Sequence, residues 1–219
     1  MSHSRQIEIE RKYDVEEAPT VPDLVGAGTI AVIDVPEIIE LDALYYDTDE
    51  FDLAHNRTAL RRRSGGSDAG WHIKSAEPGD EGRTELHWPL ASDGDQTDAA
   101  TPSTVPAGVR EQVEHLVSGR ALHPVARVRN RRENRRLLDA AGYPVAELSD
   151  DHVNAENLMD GSVRSWREWE VELLAAAPDT RSKRTELLDT IEGILLAAGA
   201  TPSTSSSKLA RALGIDSRA

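Results

Sequence analysis

The sequence predicts an α+β protein whose centre is an eight-stranded antiparallel β-barrel, closed into a tunnel and flanked by a few helices. The first observation behind this prediction is a series of segments in which charged residues occupy every second position. In residues 7–14, "IEIERKYD", Glu8, Glu10 and Lys12 share one face of a strand and isoleucines take the other. The second observation is that each predicted strand has such a charged face, which a barrel with a charged lumen explains better than separate wet sheet faces.

The predicted elements follow one another as a meander, with the helices mostly late in the chain. Strands are expected at residues 5–13, 38–48, 57–63, 71–75, 83–90, 124–140, 143–156 and 162–175. The segments SGGSDAG and AEPGDEG have the composition of turns, and the polar residues 91–106 are expected to form a surface loop. Apolar residues at helical spacing predict helices at 107–122 and 181–199, and an available serine N-cap predicts a shorter one at 205–213.

Composition is typical of a soluble protein with its own core. Of the 219 residues 38% are hydrophobic and 29% charged, which suits a single domain over residues 1–219, either standing alone or preceding further domains. No apolar run is long enough to span a bilayer and the N-terminus does not resemble a signal peptide, so we expect a cytoplasmic protein without membrane contact. The absence of cysteine excludes disulfides, thiolate metal sites and cysteine nucleophiles.

The charge distribution predicts a local anion site rather than a nucleic-acid surface. The formal net charge of −14 would repel a phosphate backbone. The arginines nevertheless cluster, at 61–63 and again at 127–136. Two interpretations remain open for these clusters: they bind a small anion, or they pair with carboxylates on solvated strand faces.

The residue types on the charged faces indicate the class of ligand. Clustered carboxylates suit hard divalent cations such as Mg²⁺ or Mn²⁺, and arginine guanidinium groups match phosphate oxygens. Both kinds of group in one cavity predict a polyanion that is bound together with metal ions.

An ordered set of motifs resembles the CYTH domain of the triphosphate tunnel metalloenzyme superfamily. "EIERK" matches the E-x-E-x-K signature of that family, and "YYDTDEFDLAHNRTALRRR", "WHIKS", "RTELHWPL", "PVARVRNRR", "AELSDDHV", "EWEVEL" and "SSSKLARAL" follow in order. The resemblance covers nearly the whole chain. It implies an eight-stranded tunnel and a divalent-metal-dependent activity on triphosphate-containing substrates. The partners that the resemblance implies are triphosphate, polyphosphate or a nucleoside triphosphate. Arg57 occupies a turn where the family is expected to have glycine.

The resemblance also implies roles for individual residues. The metal ligands would be Glu8, Glu10, Asp151, Glu170 and Glu172. The groups that bind the triphosphate would be Lys12, Arg61, Arg63, Lys74, Arg83, Arg127, Arg129 and Lys208. Catalysis would involve Glu8, Glu10, Lys12, Lys74 and Glu85, and Glu147 would line or support the site.

Three functions are compatible with these residues. The first is metal-dependent hydrolysis of inorganic triphosphate or a related compound, with a metal-oriented water as nucleophile. The second is an adenylyl cyclase of the same superfamily, and the third is a noncatalytic sensor of polyphosphate or nucleotide. In some proteins that resemble this one a helical polyphosphate-associated domain follows the barrel, so such a domain is a further expectation for a full-length protein.

Overall fold

The computed structural model describes residues 3–76, 81–90 and 104–215. Its strands are β1 (Ser4–Glu8), β2 (Glu10–Val15), β3 (Val32–Ile33), β4 (Glu37–Asp47), β5 (Thr58–Ser64), β6 (Gly70–Ser75), β7 (Arg83–Pro89), β8 (His123–Leu138), β9 (Pro144–Asn157), β10 (Val163–Leu173) and β11 (Thr201–Pro202). The helices are α1 (Asp52–His55), α2 (Ala107–Val117), α3 (Arg181–Ala197) and α4 (Lys208–Leu213). Most of the loop expected at 91–106 lies outside the described residues. No helix among the described residues is long and apolar enough to cross a membrane.

The antiparallel sheet curls round and meets itself at the N-terminal segment. Its strand order is β1-β7-β6-β5-β4-β8-β9-β10-β2, with β11 beside β2. β1 and β2 are the two halves of one predicted strand, and only Ile9 separates them. The first half pairs with β7 and the second with β10. Counted as one strand, they complete the predicted ring of eight.

Two of the three apolar clusters lie outside the barrel, between the sheet and the helices that cover it. Under α3, Trp169 and Val171 pack with Leu187, Ile191 and Leu195. Under α2, the outward side chains of β5 to β7 pack with the valines of that helix in a second cluster. Because burial of apolar surface occurs on the outer face, the inner face is free to carry charged side chains.

The C-terminal segment crosses one end of the barrel. Residues 203–207 lead from β2 to β7: the Ser203 N–H donates to the Lys12 carbonyl, and Arg83 donates to the Ser206 carbonyl. The Ser207 hydroxyl then caps α4 by accepting from the Ala210 N–H. A third apolar cluster joins α4 to the inner faces of β4, β8 and β9 and contains Ala43, Tyr45, Val128, Val153, Ala155, Leu209 and Leu213. This end of the barrel is therefore covered.

The turns at Gly65 and Arg57 are two of those that use the left-handed region of backbone space. Gly65, in the β5–β6 turn, has φ +81°, and a Cβ at this position would overlap the carbonyl oxygen of Glu40. Arg57, at the turn where the family is expected to have glycine, has φ 52°. The turn before β5 therefore keeps a left-handed geometry without glycine, at the cost of some local strain.

Candidate functional site

The barrel encloses a cavity of about 490 Å³. The mouth of the cavity is lined by Glu37, by Arg136 and by the β5–β6 turn at residues 66–68. Its closed end is formed by Ser207 and Lys208, at the point where the C-terminal segment crosses the barrel.

The two signs of charge occupy different parts of the cavity wall. Most of the lining carboxylates come from β1, β2, β9 and β10, which are neighbours around the barrel. The other lining carboxylates of the described residues are Glu37, Asp68 and Glu85. Basic groups come mainly from β5, β6 and β7 on one side and from β8 on the other. The acidic lining residues on those four strands are Glu8, Glu10, Glu147, Glu170 and Glu172, and the basic ones on the other four are Arg61, Arg63, Lys74, Arg83, Arg132 and Arg136. Lys12 and Lys208 lie between the carboxylates.

Three glutamates stand side by side on adjacent strands and form what we call the acidic row. Glu172 of β10 is in register with Glu147 of β9 and with Glu10 of β2. Glu147 and Glu172 form no hydrogen bond or ion pair with any described residue. Burial, reinforced by the charge of Glu8, raises the pKa of Glu172 to about 8. Within the row Glu10 has an ion pair, with Lys12 Nζ at 3.2 Å, whereas the raised pKa of Glu172 shows that the folded protein does not favour its ionised form.

A second acidic group, nearer the closed end, is neutralised by lysine and arginine. This ion-pair cluster contains Asp151, Glu168 and Glu170, whose oxygens lie within 4.8 Å of one another. Lys208 Nζ lies 2.9, 2.5 and 2.8 Å from oxygens of these three residues, in that order. Arg132 binds both oxygens of Asp151, at 2.8 and 2.7 Å, and Glu170 at 2.7 Å.

The pKa directions agree with this neutralisation. Burial alone would raise the pKa of Asp151, but the charges of Arg132 and Lys208 outweigh it and lower the pKa to about 2. Burial likewise opposes the ionisation of Glu10, but Lys12 and Lys74 lower its pKa. In Glu8 burial prevails over Lys74, and the pKa is raised.

The carboxylates at the mouth fit a divalent cation better than those of the ion-pair cluster do. Mg²⁺ and Mn²⁺ prefer oxygen ligands, which Glu8 and the acidic row supply. A cation at the row would stabilise the ionised form of Glu172, whose pKa is raised first by burial and then by the charge of Glu8. A cation at the ion-pair cluster would instead have to displace Lys208 and Arg132. Of the predicted ligands, Asp151 and Glu170 thus lie where protein cations already occupy the oxygens.

Glu85 is the centre of a buried hydrogen-bond network on the basic side. Gln6 Nε2 donates to its Oε2 at 3.0 Å, and His72 Nδ1 lies 3.1 Å from its Oε1. Arg61 Nη2 lies 3.6 Å from the same Oε1 atom. Lys74 Nζ lies 2.6 Å from Glu8 Oε2 and so connects this network to the N-terminal strand. The sequence did not suggest Gln6 or His72 as part of the site.

The structure brings most predicted site residues to one cavity, but the expected face of β8 is wrong. Arg127 Nε donates to Asp42 Oδ1 at 3.0 Å on the outer face, and the Arg129 side chain is 53% exposed there. The inward positions of β8 are the even-numbered ones, so Arg132 and Arg136 line the cavity instead. Arginines occur at both odd and even positions of β8, and alternation within that strand alone cannot tell which set faces inward.

A signal in the neighbouring strand would have found the correct face. β8 and β9 form a hairpin in which Arg132 is opposite Asp151 and Arg136 is opposite Glu147. The inward orientation of the two acids was predicted from β9. Directly opposite residues of antiparallel strands point the same way, so the arginines paired with those acids must face inward too.

Comparison with known proteins agrees with this architecture. The family model of the CYTH domain matches residues 6–201. Two proteins of Mycobacterium tuberculosis, both named as uncharacterized, are 38% identical over 224 residues: Rv2226 in strain H37Rv and MT2285 in strain CDC 1551. The match covers 98% of this chain but only 41% of each relative.

Solved structures with the same fold come from distant organisms. A protein of Bacillus halodurans named as a candidate adenylate cyclase has a TM-score of 0.58 and 20% identity, over 94% of this chain and 97% of its own. The PH1819 protein of Pyrococcus horikoshii has a TM-score of 0.53 and 17% identity, over 95% and 99%. HpAC1 of Hippeastrum, described as a candidate adenylyl cyclase with a dominant triphosphatase activity, has a TM-score of 0.52 and 17% identity, over 97% of both chains.

Proposed function

The chain belongs to the CYTH domain family, and on this basis we propose that it hydrolyses a triphosphate-containing substrate, inorganic triphosphate or a related compound, with Mg²⁺ or Mn²⁺. One observation carries the proposal: a single cavity holds the acidic row, in which Glu147 and Glu172 have no ion pair with any described residue, and, across from it, buried basic groups. A phosphate chain with bound cations needs both. We place this activity in the cytoplasm, and a helical polyphosphate-associated domain remains a prediction for longer relatives.

In this proposal the residues of different strands have different roles. Glu8, Glu10 and Glu172, with Glu147 beside them, would hold the cation. Bound there, a divalent cation would neutralise phosphate oxygens and lower the pKa of a bound water. Arg61, Arg63, Lys74 and Arg132 would orient the phosphate chain and stabilise the charge that spreads over it during transfer.

A cyclase is the second candidate, supported by the names of the Bacillus and Hippeastrum relatives. The lining of the cavity favours hydrolysis. Tyr45 and His72 are the aromatic residues among the described lining residues. Arg61 donates to the Tyr45 hydroxyl at 3.4 Å, and His72 is held between Glu85 and the Asp68 carbonyl. Tyr45 is 4% exposed and His72 is 1% exposed and stacked on His87, so neither ring presents an open face to a nucleobase.

The assay that separates these functions offers three substrates to the purified protein. Tripolyphosphate, ATP and long-chain polyphosphate are incubated with Mg²⁺ or Mn²⁺, and orthophosphate and cyclic AMP are measured. We expect orthophosphate from tripolyphosphate and no cyclic AMP. Cyclic AMP as the main product would favour the cyclase, and tight binding without either product would favour the noncatalytic sensor.

Glu10→Gln should reduce metal-dependent turnover by roughly 100-fold or more, because it removes a cation ligand at the reacting phosphate. Its unfolding midpoint should change little, since the substitution also reduces repulsion within the acidic row. Arg129→Ala is the matched control. This arginine was predicted to bind substrate but lies on the outer face, so the variant should keep the wild-type KM and kcat. Full activity of Glu10→Gln would refute the metal assignment.

A further inference from the structure

Asp68 is an acidic residue that sits among the basic groups at the mouth of the cavity. It belongs to the turn between β5 and β6, and its carboxylate pairs with the guanidinium of Arg63. Its side chain is 49% exposed, whereas the Arg63 side chain is 9% exposed. The contact therefore joins a buried cation of the substrate cavity to an anion that can reach solvent.

Arg63 is poorly compensated apart from this contact. Its Nε atom is buried and has no hydrogen-bond partner among the described residues. Arg61 and Arg132 lie close enough to repel it, and after burial their charges are among the causes that lower the pKa of Arg63 to about 10. Asp68 is the one carboxylate that forms an ion pair with Arg63 among the described residues. Any other anion that contacts Arg63 must compete with it.

The turn fixes the Asp68 backbone, but the Asp68 side chain can rotate away from Arg63. The Asp68 carbonyl oxygen lies 3.0 Å from His72 Nε2, which fixes the main chain to β6. Rotation about χ1 alone would carry the half-exposed carboxylate from Arg63 into solvent. No rearrangement of the barrel is needed for this exchange.

From this geometry we propose that Asp68 is a built-in substitute for the substrate phosphate: it neutralises Arg63 in the free protein and is displaced when a polyanion binds. The identity of that polyanion rests on the proposed function. The exchange makes Asp68 a determinant of affinity and selectivity. A monoanion replaces one carboxylate at Arg63 and gains little, whereas a phosphate chain gains contacts with Arg61, Lys74 and Arg132 as well.

The test measures binding of tripolyphosphate by isothermal titration calorimetry in buffer with EDTA, so that neither metal ions nor turnover contribute. Asp68→Asn keeps the shape of the side chain and removes its charge. We expect its dissociation constant for tripolyphosphate to fall about tenfold below the wild-type value, because the ligand no longer has to displace an anion.

Two controls separate this effect from a general change of charge. Glu37→Gln removes one negative charge from the same mouth, at a residue without an ion pair to any described residue, and should change the dissociation constant less than twofold. In an Arg63→Gln background the Asp68→Asn substitution should have no effect, because Asp68 acts through Arg63. Thermal unfolding of each variant verifies that it is folded.

The outcomes distinguish this proposal from the proposed function. If the wild type binds tripolyphosphate and Asp68→Asn binds no more tightly, or if Glu37→Gln gains as much, the proposal for Asp68 is wrong. If Asp68→Asn binds more tightly but the wild type hydrolyses nothing, Asp68 has the stated role and the hydrolase is wrong. If neither protein binds tripolyphosphate in EDTA, the proposal for Asp68 is wrong, and the proposed function is then decided by the hydrolysis assay with Mg²⁺ or Mn²⁺.

Discussion

At the scale of single residues, the acidic row is the feature that combines stability with function. Neighbouring strands place Glu147, Glu172 and Glu10 directly beside one another, an arrangement that destabilises a sheet when the groups are charged. Two of the three glutamates, Glu147 and Glu172, nevertheless form no ion pair with any described lysine or arginine. A residue set that weakens the fold is best explained by what it can bind.

The raised pKa of Glu172 predicts an unusual dependence of stability on pH. Between about pH 4.5 and 8 the folded protein keeps a proton on Glu172 that the unfolded chain releases. The contribution of this residue to the free energy of unfolding is therefore complete at low pH and is lost as the pH rises through that window. In metal-free buffer Glu172→Gln should be more stable than the wild type at pH 8, by on the order of 1 kcal/mol, and the difference should shrink towards pH 5.

Urea unfolding at pH 5, 6, 7 and 8 measures this difference. Glu111→Gln, at an exposed position on α2, is the control and should follow the wild-type profile. A Glu172→Gln profile parallel to that of the wild type would mean that Glu172 ionises normally.

Sequence alternation predicted the inward glutamates and lysines but failed for Arg127 and Arg129. The reason is physical: a two-residue period reveals that a strand has two faces, and the identity of the inner face comes from its neighbours. Gln6, His72 and Asp68 were missed because their roles depend on contacts across strands and turns. Contact in space between a polar residue and a charged one produces no pattern in the sequence when the two are far apart along the chain.

At the scale of elements, the strands expected from the sequence are present with small differences in their bounds. The first predicted strand is divided at Ile9, where it passes from β7 to β10. The strand expected to end at residue 48 ends at Asp47, whose buried carboxylate accepts from the N–H groups of Thr48, Leu53 and Ala54. These bonds stabilise α1, a helix too short for a periodic pattern to predict.

The backbone of the β5–β6 turn leaves no room for a side chain at Gly65. Gly65→Ala should lower the free energy of unfolding by more than about 3 kcal/mol, because the new methyl group would meet the Glu40 carbonyl and φ is positive. Gly142→Ala is the matched control: φ is +85° there, but no atom lies within 4 Å of the added Cβ. It should cost about 1 kcal/mol. Equal losses in chemical denaturation would show that the close contact does not matter.

At the scale of the whole molecule, closure of the barrel depends on one short segment. β1 and β2 together connect the two ends of a sheet that otherwise runs from β7 to β10. The charged faces of the strands predicted that a barrel forms. They could not predict where the first strand leaves one neighbour for the other, because that position depends on the shear of the closed sheet.

Removal of residues 1–9 should therefore lower the unfolding midpoint by more than about 10 °C, since it exposes the edge of β7 and opens the cavity. Ile7→Ser in the full-length chain is the control. The Ile7 side chain is 67% exposed, so this variant loses little burial and keeps the backbone pairing with Thr84. Thermal unfolding by circular dichroism compares the three proteins, and similar midpoints would contradict a closing role for β1.

The covered end of the barrel has a kinetic consequence. Because residues 203–207 and α4 lie across that end, a phosphate chain and the orthophosphate released from it must use the same mouth. A linear chain can then present only one terminus at a time, and the remainder stays in solvent. If the protein is the proposed hydrolase, orthophosphate should accordingly inhibit it competitively, and attack should proceed from chain ends rather than from internal bonds.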